Sequence, residues 1–110
     1  MKYKMSPNVA IRTKKTEAAL EFYSKALGFP NRSTDPDLAD LDAAPLTLFI
    51  IEDDEISGPV MELFVDVLEQ AREELVALGC PVLRWRGKGQ DCYIQDPFGV
   101  IFNVWEEKSS

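Results

Sequence analysis

The sequence predicts an α+β protein built from two βαβββ modules, and three observations lead to this prediction. A short motif occurs twice, first as Ala26–Pro30 (ALGFP) and again as Ala77–Pro81 (ALGCP). In both copies a run of apolar residues at helical spacing ends at the glycine, and an alternating strand pattern precedes the helix. The chain has 110 residues, which suits a single domain over residues 1–110 better than two independent cores.

The first module, over about residues 5–52, begins with an alternating strand at Asn8–Arg12. A helix is predicted from about Lys15 to Leu27, because the glycine that follows takes the left-handed C-cap conformation without steric cost. We expect one apolar stripe of this helix to face the sheet. The stripe consists of Ala18, Ala19, Phe22, Tyr23, Ala26 and Leu27. Three strands are then predicted, a short one after Phe29, one near Leu38–Leu41 and one at Leu46–Ile51.

The second module, over about residues 59–106, has the same order of elements. A strand at Val60–Val65 precedes a helix from about Leu68 to Leu78, whose core-facing residues are Leu68, Ala71, Leu75 and Leu78. Asp96–Gly99 has Asp first, Pro second and Gly fourth, which is typical of a type I turn. The remaining strands are predicted at Val82–Arg86, Asp91–Gln95 and Val100–Trp105.

Residues 53–58 are predicted to link the two modules. The acidic run Glu52–Glu55 lacks the ligand spacing of a calcium-binding loop, so we expect it to be solvated and flexible. Arg84 and Arg86 alternate with apolar residues and can reach an anionic ligand, although a solvated face is the simpler interpretation.

Composition and charge exclude several classes of function. With 19 acidic residues, 12 basic residues and a net charge of −7, the chain lacks the basic surface that nucleic-acid binding needs. It also lacks an apolar run long enough to span a membrane. Because it has no histidine, a Ser-His-Asp triad, a Cys-His pair and a histidine-bound zinc site are all impossible.

The two cysteines, Cys80 and Cys92, are too few for a disulfide scaffold. No histidine is available to lower the pKa of either thiol, so buried and unreactive cysteines are expected, without a disulfide between them. A reducing cytoplasm is the expected location.

The paired modules resemble the vicinal oxygen chelate superfamily, which includes glyoxalase I, bleomycin-resistance proteins and extradiol dioxygenases. Three features carry the resemblance: the repeat itself, Phe22-Tyr23 followed by Leu27-Gly28-Phe29, and Asp96-Pro97-Phe98-Gly99 before a final apolar strand. The resemblance extends from about Pro7 to Glu106. It implies that the two modules form a cup-shaped sheet, and that metal-using members hold a divalent ion in this cup.

The positions that correspond to the family's metal ligands carry other residues here. The two histidine positions correspond to Asn8 and Val60, the last glutamate corresponds to Asn103, and the fourth position falls on Thr47 or Phe49. Valine cannot coordinate a metal, and neutral amides are poor ligands for divalent transition ions. We therefore expect no metal and no other cofactor at the family site.

Strand alternation from these positions predicts which side chains line the cup. The predicted ligand-binding residues are Asn8, Arg12, Thr47, Phe49, Val60, Glu62, Phe64, Asn103 and Trp105. Glu62 is a candidate general base or partner of a cationic ligand, and it can equally be a rim carboxylate paired with Arg12. Trp105 and Phe64 can stack on a planar ligand or simply belong to a core. The amides of Asn8 and Asn103 can bind a substrate carbonyl, each other or water.

These features favour a glyoxalase- or bleomycin-resistance-like protein without the family metal site, which binds a small organic molecule in its cup. Sequestration of an antibiotic is one form that this binding can take. Alternatives are a metal-dependent or Glu62-based lyase, isomerase or dioxygenase of the same superfamily, and a dimerisation module whose cup is filled by side chains. A homodimer is expected, because many family members are dimers and exposed strand edges favour pairing.

Overall fold

The computed structural model describes residues 3–35 and 37–107. These residues form two compact units, which are described separately. The first unit spans residues 7–60, and the second unit comprises residues 3–6 and 61–107. The unit boundaries fall inside two strands, β1 (Lys4–Thr13) and β4 (Gly58–Val65).

The first unit contains most of β1, a short helix α1 (Thr16–Glu21) that continues as a π-helical segment (Phe22–Ala26), and the strands β2 (Ala39–Ala43) and β3 (Leu46–Glu52). Its strand order is β2-β3-β1, with β1 parallel and β2 antiparallel to β3. This is the predicted order of elements. The strand predicted after Phe29 is, however, reduced to one bridge between Asn31 and Leu41.

Local side-chain hydrogen bonds explain why that strand is so short. The side chain of Asn31 accepts the Ser33 N–H, Ser33 accepts the Asp35 N–H and Asp35 accepts the Asp37 N–H, at 2.9–3.0 Å. Such side-chain acceptors compete with ladder partners for the backbone donors. The chain therefore turns where a strand was expected.

The predicted apolar stripe on α1 is not buried, which corrects the sequence-based expectation. Buried side chains on the sheet include Val9, Leu41, Leu48 and Ile50, whereas no residue of α1 or of the π-helical segment is buried. Phe22 is 52% exposed, and its ring meets that of Tyr23 edge to face at 5.1 Å. The helix thus covers its sheet only loosely.

The second unit contains α2 (Leu68–Ala77) and the strands β5 (Val82–Trp85), β6 (Cys92–Gln95) and β7 (Ile101–Glu106). Its strand order is β4-β7-β6-β5, and β7 and β5 both pair antiparallel with β6. The strands and the helix lie within one or two residues of their predicted positions. A carboxylate oxygen of Glu106 accepts the Leu68 N–H at 2.9 Å and so satisfies a free donor at the start of α2.

The core of the second unit lies between α2 and one face of its sheet. Leu68, Ala71 and Leu75 are buried in it, as predicted, whereas Leu78 is 68% exposed because α2 ends at Ala77. The buried cluster consists of Val65, Leu68, Ala71, Leu75, Cys80, Cys92, Ile94 and Val104.

Two predicted turns are confirmed by their hydrogen bonds. Gly79 has a φ of +93°, and the Cys80 N–H donates to the Leu75 carbonyl at 3.0 Å, which closes the end of α2. In the turn before β7, an Asp96 carboxylate oxygen accepts the Phe98 and Val100 N–H groups at 2.8 and 2.9 Å. Asp96 thereby fixes the entry of the last strand.

The predicted fold class, α+β with two modules of this type, is confirmed by the architecture of both units. Across residues 3–35 and 37–107, no helix has the length and apolar character needed to cross a membrane.

Candidate functional site

In the first unit, one sheet face points away from α1, and we call it the helix-free face of the first unit. The register pairs Asn8 with Thr47, Ala10 with Phe49 and Arg12 with Ile51. These pairs alternate with the buried residues on the helix side, so the predicted binding residues of β1 and β3 share one face.

Sequence reasoning missed a polar cluster on the same face. Asp40 of β2 lies beside Phe49 in the register, and its carboxylate accepts a hydrogen bond from Nη2 of Arg32 at 2.8 Å. The same Nη2 donates to Oγ1 of Thr47 at 3.2 Å. The hydrogen bond to Asp40 raises the pKa of Arg32 above its ordinary value. The alternation of Asp40 and Asp42 around the buried Leu41 is the signal that could have revealed this cluster.

Arg12, a predicted ligand-binding residue, forms an ion pair at the end of this face. Its Nη1 lies 3.8 Å from a carboxylate oxygen of Asp53, and the two side chains are only 9% and 5% exposed. The Asp53 carboxylate also accepts the Glu55 and Ile56 N–H groups at 2.9 Å each. The expectation of a wholly solvated acidic linker is therefore wrong for Asp53, because this residue fixes the loop.

The second unit has its own helix-free face. On β4, Leu63 and Val65 pack on the core, so Glu62 and Phe64 point to the opposite face. On β7, Asn103 lies beside Tyr93 of β6, and Trp105 shares its face by alternation. Glu62, Phe64, Asn103 and Trp105 are half-buried.

Arg84 and Tyr93 form the most buried part of this face. The guanidinium carbon of Arg84 lies 5.3 Å from the centre of the Tyr93 ring, and its Nη1 lies 3.2 Å from a carboxylate oxygen of Asp91. The Arg84 side chain is 13% exposed and Tyr93 is 1% exposed. The expectation of a solvated Arg84 is therefore wrong, since the aromatic ring and the carboxylate hold its charge at the sheet.

The donors at the family's metal positions do not fit a divalent metal ion. Oδ1 of Asn103 accepts the Cys92 N–H at 3.0 Å, so this amide oxygen already has a backbone donor. Val60 is apolar and 1% exposed. In the described part of the chain, no group of three His, Cys, Asp or Glu side chains is arranged to hold a metal ion. No reaction step can therefore be assigned to a metal held by Asn8, Val60 and Asn103.

Both cysteines are buried and free, in agreement with the sequence-based expectation. Burial raises the pKa of the Cys80 and Cys92 thiols. The Cys92 thiol also donates to the Gly87 carbonyl at 3.2 Å. Both groups are therefore poor nucleophiles, because the thiolate is the reactive form.

A repeated strand–helix–strand module with polar and aromatic residues on the helix-free side of each sheet places the chain in a class of small duplicated α+β proteins. The family model described as a glyoxalase-like domain matches residues 8–105. The chain therefore belongs to the glyoxalase-like domain family. No curated protein matches it by sequence.

Solved structures show the same fold at low sequence identity. A glyoxalase/bleomycin resistance protein/dioxygenase superfamily member from Vibrio splendidus 12B01 is 17% identical with a TM-score of 0.65, over 96% of this chain and all of the other. Streptomyces coelicolor methylmalonyl-CoA epimerase is 14% identical with a TM-score of 0.60, over 98% of this chain and all of the other. An extradiol ring-cleaving dioxygenase from B. fuscum is 16% identical with a TM-score of 0.57, over 93% of this chain and 31% of the other.

Proposed function

We propose that this protein binds a small organic molecule without using a metal, and that residues of a helix-free face contact the ligand. The observation that carries the proposal is the chemical character of these faces. Half-buried aromatic rings (Phe49, Phe64 and Trp105) lie on the same faces as a few fixed polar groups. This combination is typical of small-ligand sites, where apolar contact supplies affinity and a few polar groups set orientation.

The polar groups favour a ligand that carries a positive charge. Glu62 is a carboxylate on the helix-free face of the second unit, while the arginines Arg32, Arg12 and Arg84 each have a carboxylate partner. The net charge of −7 also favours cations over anions. Sequestration of a cationic aromatic antibiotic, as in bleomycin resistance, is the specific form of the proposal.

Trp105 and Glu62 provide the sharpest test of this binding site. We expect isothermal titration calorimetry to detect binding of at least one cationic aromatic antibiotic. Trp105→Ala should reduce this affinity about tenfold or more, since a stacked ring supplies about 1–2 kcal/mol. Glu62→Gln should lower the affinity for a cationic ligand and leave the affinity for a neutral analogue unchanged.

Phe98→Ala is the matched control, because Phe98 is 90% exposed at a turn and lies outside the helix-free faces. The proposal fails if a panel of cationic antibiotics and small metabolites gives no binding. It also fails if Trp105→Ala and Phe98→Ala have equal effects.

The second candidate function is a metal-free isomerase or lyase that uses Glu62 as the base. Glu62 is a half-buried carboxylate on the same face as Phe64, a position suited to removing a proton from carbon next to a carbonyl. The C–H electron pair would pass to the carbonyl as an enolate, and the proton would pass to the carboxylate. Exchange of substrate C–H for deuterium in D₂O, lost in Glu62→Gln, would support this candidate. For a metal-dependent lyase, isomerase or dioxygenase, residues 3–35 and 37–107 offer no fitting donor set.

The protein is further proposed to act as a homodimer in the cytoplasm. β5 lies at one edge of its sheet and presents Leu83, which is 43% exposed, and such an edge favours pairing with another chain. Sedimentation equilibrium at micromolar concentration tests this, and a monomer mass would refute it.

A further inference from the structure

The two repeated helices cover their sheets unequally. Helix α2 buries Leu68, Ala71 and Leu75 against the sheet of the second unit, whereas α1 buries none of its residues. Both helical segments lead into the same Ala-Leu-Gly motif, so the two sequences can be aligned by counting back from it.

In this alignment the first module has polar residues at two positions where the second module has buried leucines. Leu68 corresponds to Glu17, Ala71 to Leu20, and Leu75 to Ser24. Two leucines of the second module are thus aligned with a carboxylate and a hydroxyl in the first. The hydroxyl of Ser24 donates to the Leu20 carbonyl at 2.6 Å and contributes no apolar side chain to the sheet.

A cavity of about 200 Å³ lies at this place in the first unit. It is on the helix side of the sheet, opposite the helix-free face, and so is distinct from the site proposed above. Its described lining residues are Thr16, Glu17, Leu20, Asp37, Ala39, Ile50 and Glu52. Ala39 and Ile50 are buried and provide apolar walls with Leu20, while the carboxylates of Glu17, Asp37 and Glu52 are exposed.

We propose that this cavity is a second binding site, for a small organic ammonium ion with an apolar body. The volume suits such a ligand, since an apolar cavity of about 150 Å³ holds benzene. Among the described lining residues three are carboxylates and none is basic, so a cationic head group is favoured at the mouth. At the aligned position of the second module, Leu68 is buried against the sheet instead.

Three probes of one size and different charge test the site: benzylammonium, benzyl alcohol and benzoate. In ¹H–¹⁵N NMR titrations at pH 7 and low salt, we expect benzylammonium to shift the amides of residues 16–20, 39 and 50–52. Its affinity should exceed that of benzyl alcohol by about fivefold, the scale of one partly exposed ion pair. Benzoate should not bind.

Two substitutions at Glu17 distinguish the effect of its negative charge from the effect of the cavity volume. Glu17→Gln keeps the cavity and should remove the preference for benzylammonium over benzyl alcohol. Glu17→Leu introduces the residue of the second module and should abolish binding of both probes. Glu21→Gln is the control, since it removes a carboxylate from α1 outside the cavity lining.

The inference is overturned if benzylammonium does not bind, or if Glu17→Leu binds it as well as the natural chain does. It is also overturned if the shifted amides lie instead around Asn103 and Trp105, which would support binding at the helix-free face. Circular dichroism of each variant confirms that the fold is retained.

Discussion

Removing the charge of Asp53 tests whether a buried ion pair holds the first unit together. Arg12 and Asp53 lie 3.8 Å apart with side chains 9% and 5% exposed, so neither charge is well solvated. Asp53→Asn removes the negative charge and keeps an amide oxygen that can accept the Glu55 and Ile56 N–H groups. The substitution therefore isolates the electrostatic contribution from the loop hydrogen bonds.

The expected loss of stability follows from the burial of Arg12 and Asp53 and from the distance between their charges. Two unit charges about 4 Å apart interact with about 4 kcal/mol at an effective dielectric constant of about 20, and breaking a buried pair costs about 3–5 kcal/mol. The separation is at the long end for an ion pair, and Asn is cheaper to bury than Asp. We expect Asp53→Asn to cost about 2–3 kcal/mol. Asp53→Ala should cost about 1–3 kcal/mol more, because two loop hydrogen bonds are also lost.

Urea unfolding followed by tryptophan fluorescence measures these differences, with a midpoint shift of about 1–2 M expected for Asp53→Asn. Asp54→Asn is the control, since Asp54 is the exposed neighbour in the same loop. A double-mutant cycle with Arg12→Met should give a coupling energy above about 1 kcal/mol. If Asp53→Asn and Asp54→Asn differ by less than about 0.5 kcal/mol, the ion pair does not stabilise the fold.

Three further predictions concern stability and reactivity. Glu17→Leu should raise the free energy of unfolding by about 1–2 kcal/mol, because it places an apolar side chain where α1 leaves a cavity; chemical denaturation that shows destabilisation would contradict this. The pKa of Tyr3 is raised from 10.0 to about 12, mainly by burial and to a smaller extent by its hydrogen bond to Glu74. The folded state thus favours the neutral phenol. The contribution of Tyr3 to the free energy of unfolding should therefore be fully present below pH 10 and decline between pH 10 and about 12. The variant Tyr3→Phe should not show this decline. Cys80 and Cys92 should react with a thiol reagent at least about tenfold more slowly in the native protein than in urea, and equal rates would refute their burial.

The second unit shows how much a repeat and its periodicity can predict. The apolar spacing of α2, the glycine after it and the Asp96 turn gave elements close to those observed, because each depends on residues near in sequence. Strand alternation likewise placed Asn103 and Trp105 on the face opposite the core. Local sequence patterns were sufficient to predict an element wherever its apolar residues keep one spacing along its whole length.

The first unit shows where such patterns stop being informative. Its helix has an apolar stripe as clear as that of α2, yet Phe22 is half-exposed. Whether a stripe is buried depends on how closely the helix follows its sheet, and the π-helical segment Phe22–Ala26 interrupts the 3.6-residue period on which the predicted stripe relies.

Charged residues were the least predictable part of the candidate site, and the reason is physical. Arg84 and Asp53 were both expected in solvent, since a lone charged residue in a loop or on a strand is usually hydrated. Their burial depends on partners, Asp91 with Tyr93 for Arg84 and Arg12 for Asp53, that periodicity does not identify. An arginine held in this way has less charge to offer an anionic ligand, because its partner carboxylate already compensates it. The count of charges in the sequence therefore overstates how many arginines are available to an anionic ligand.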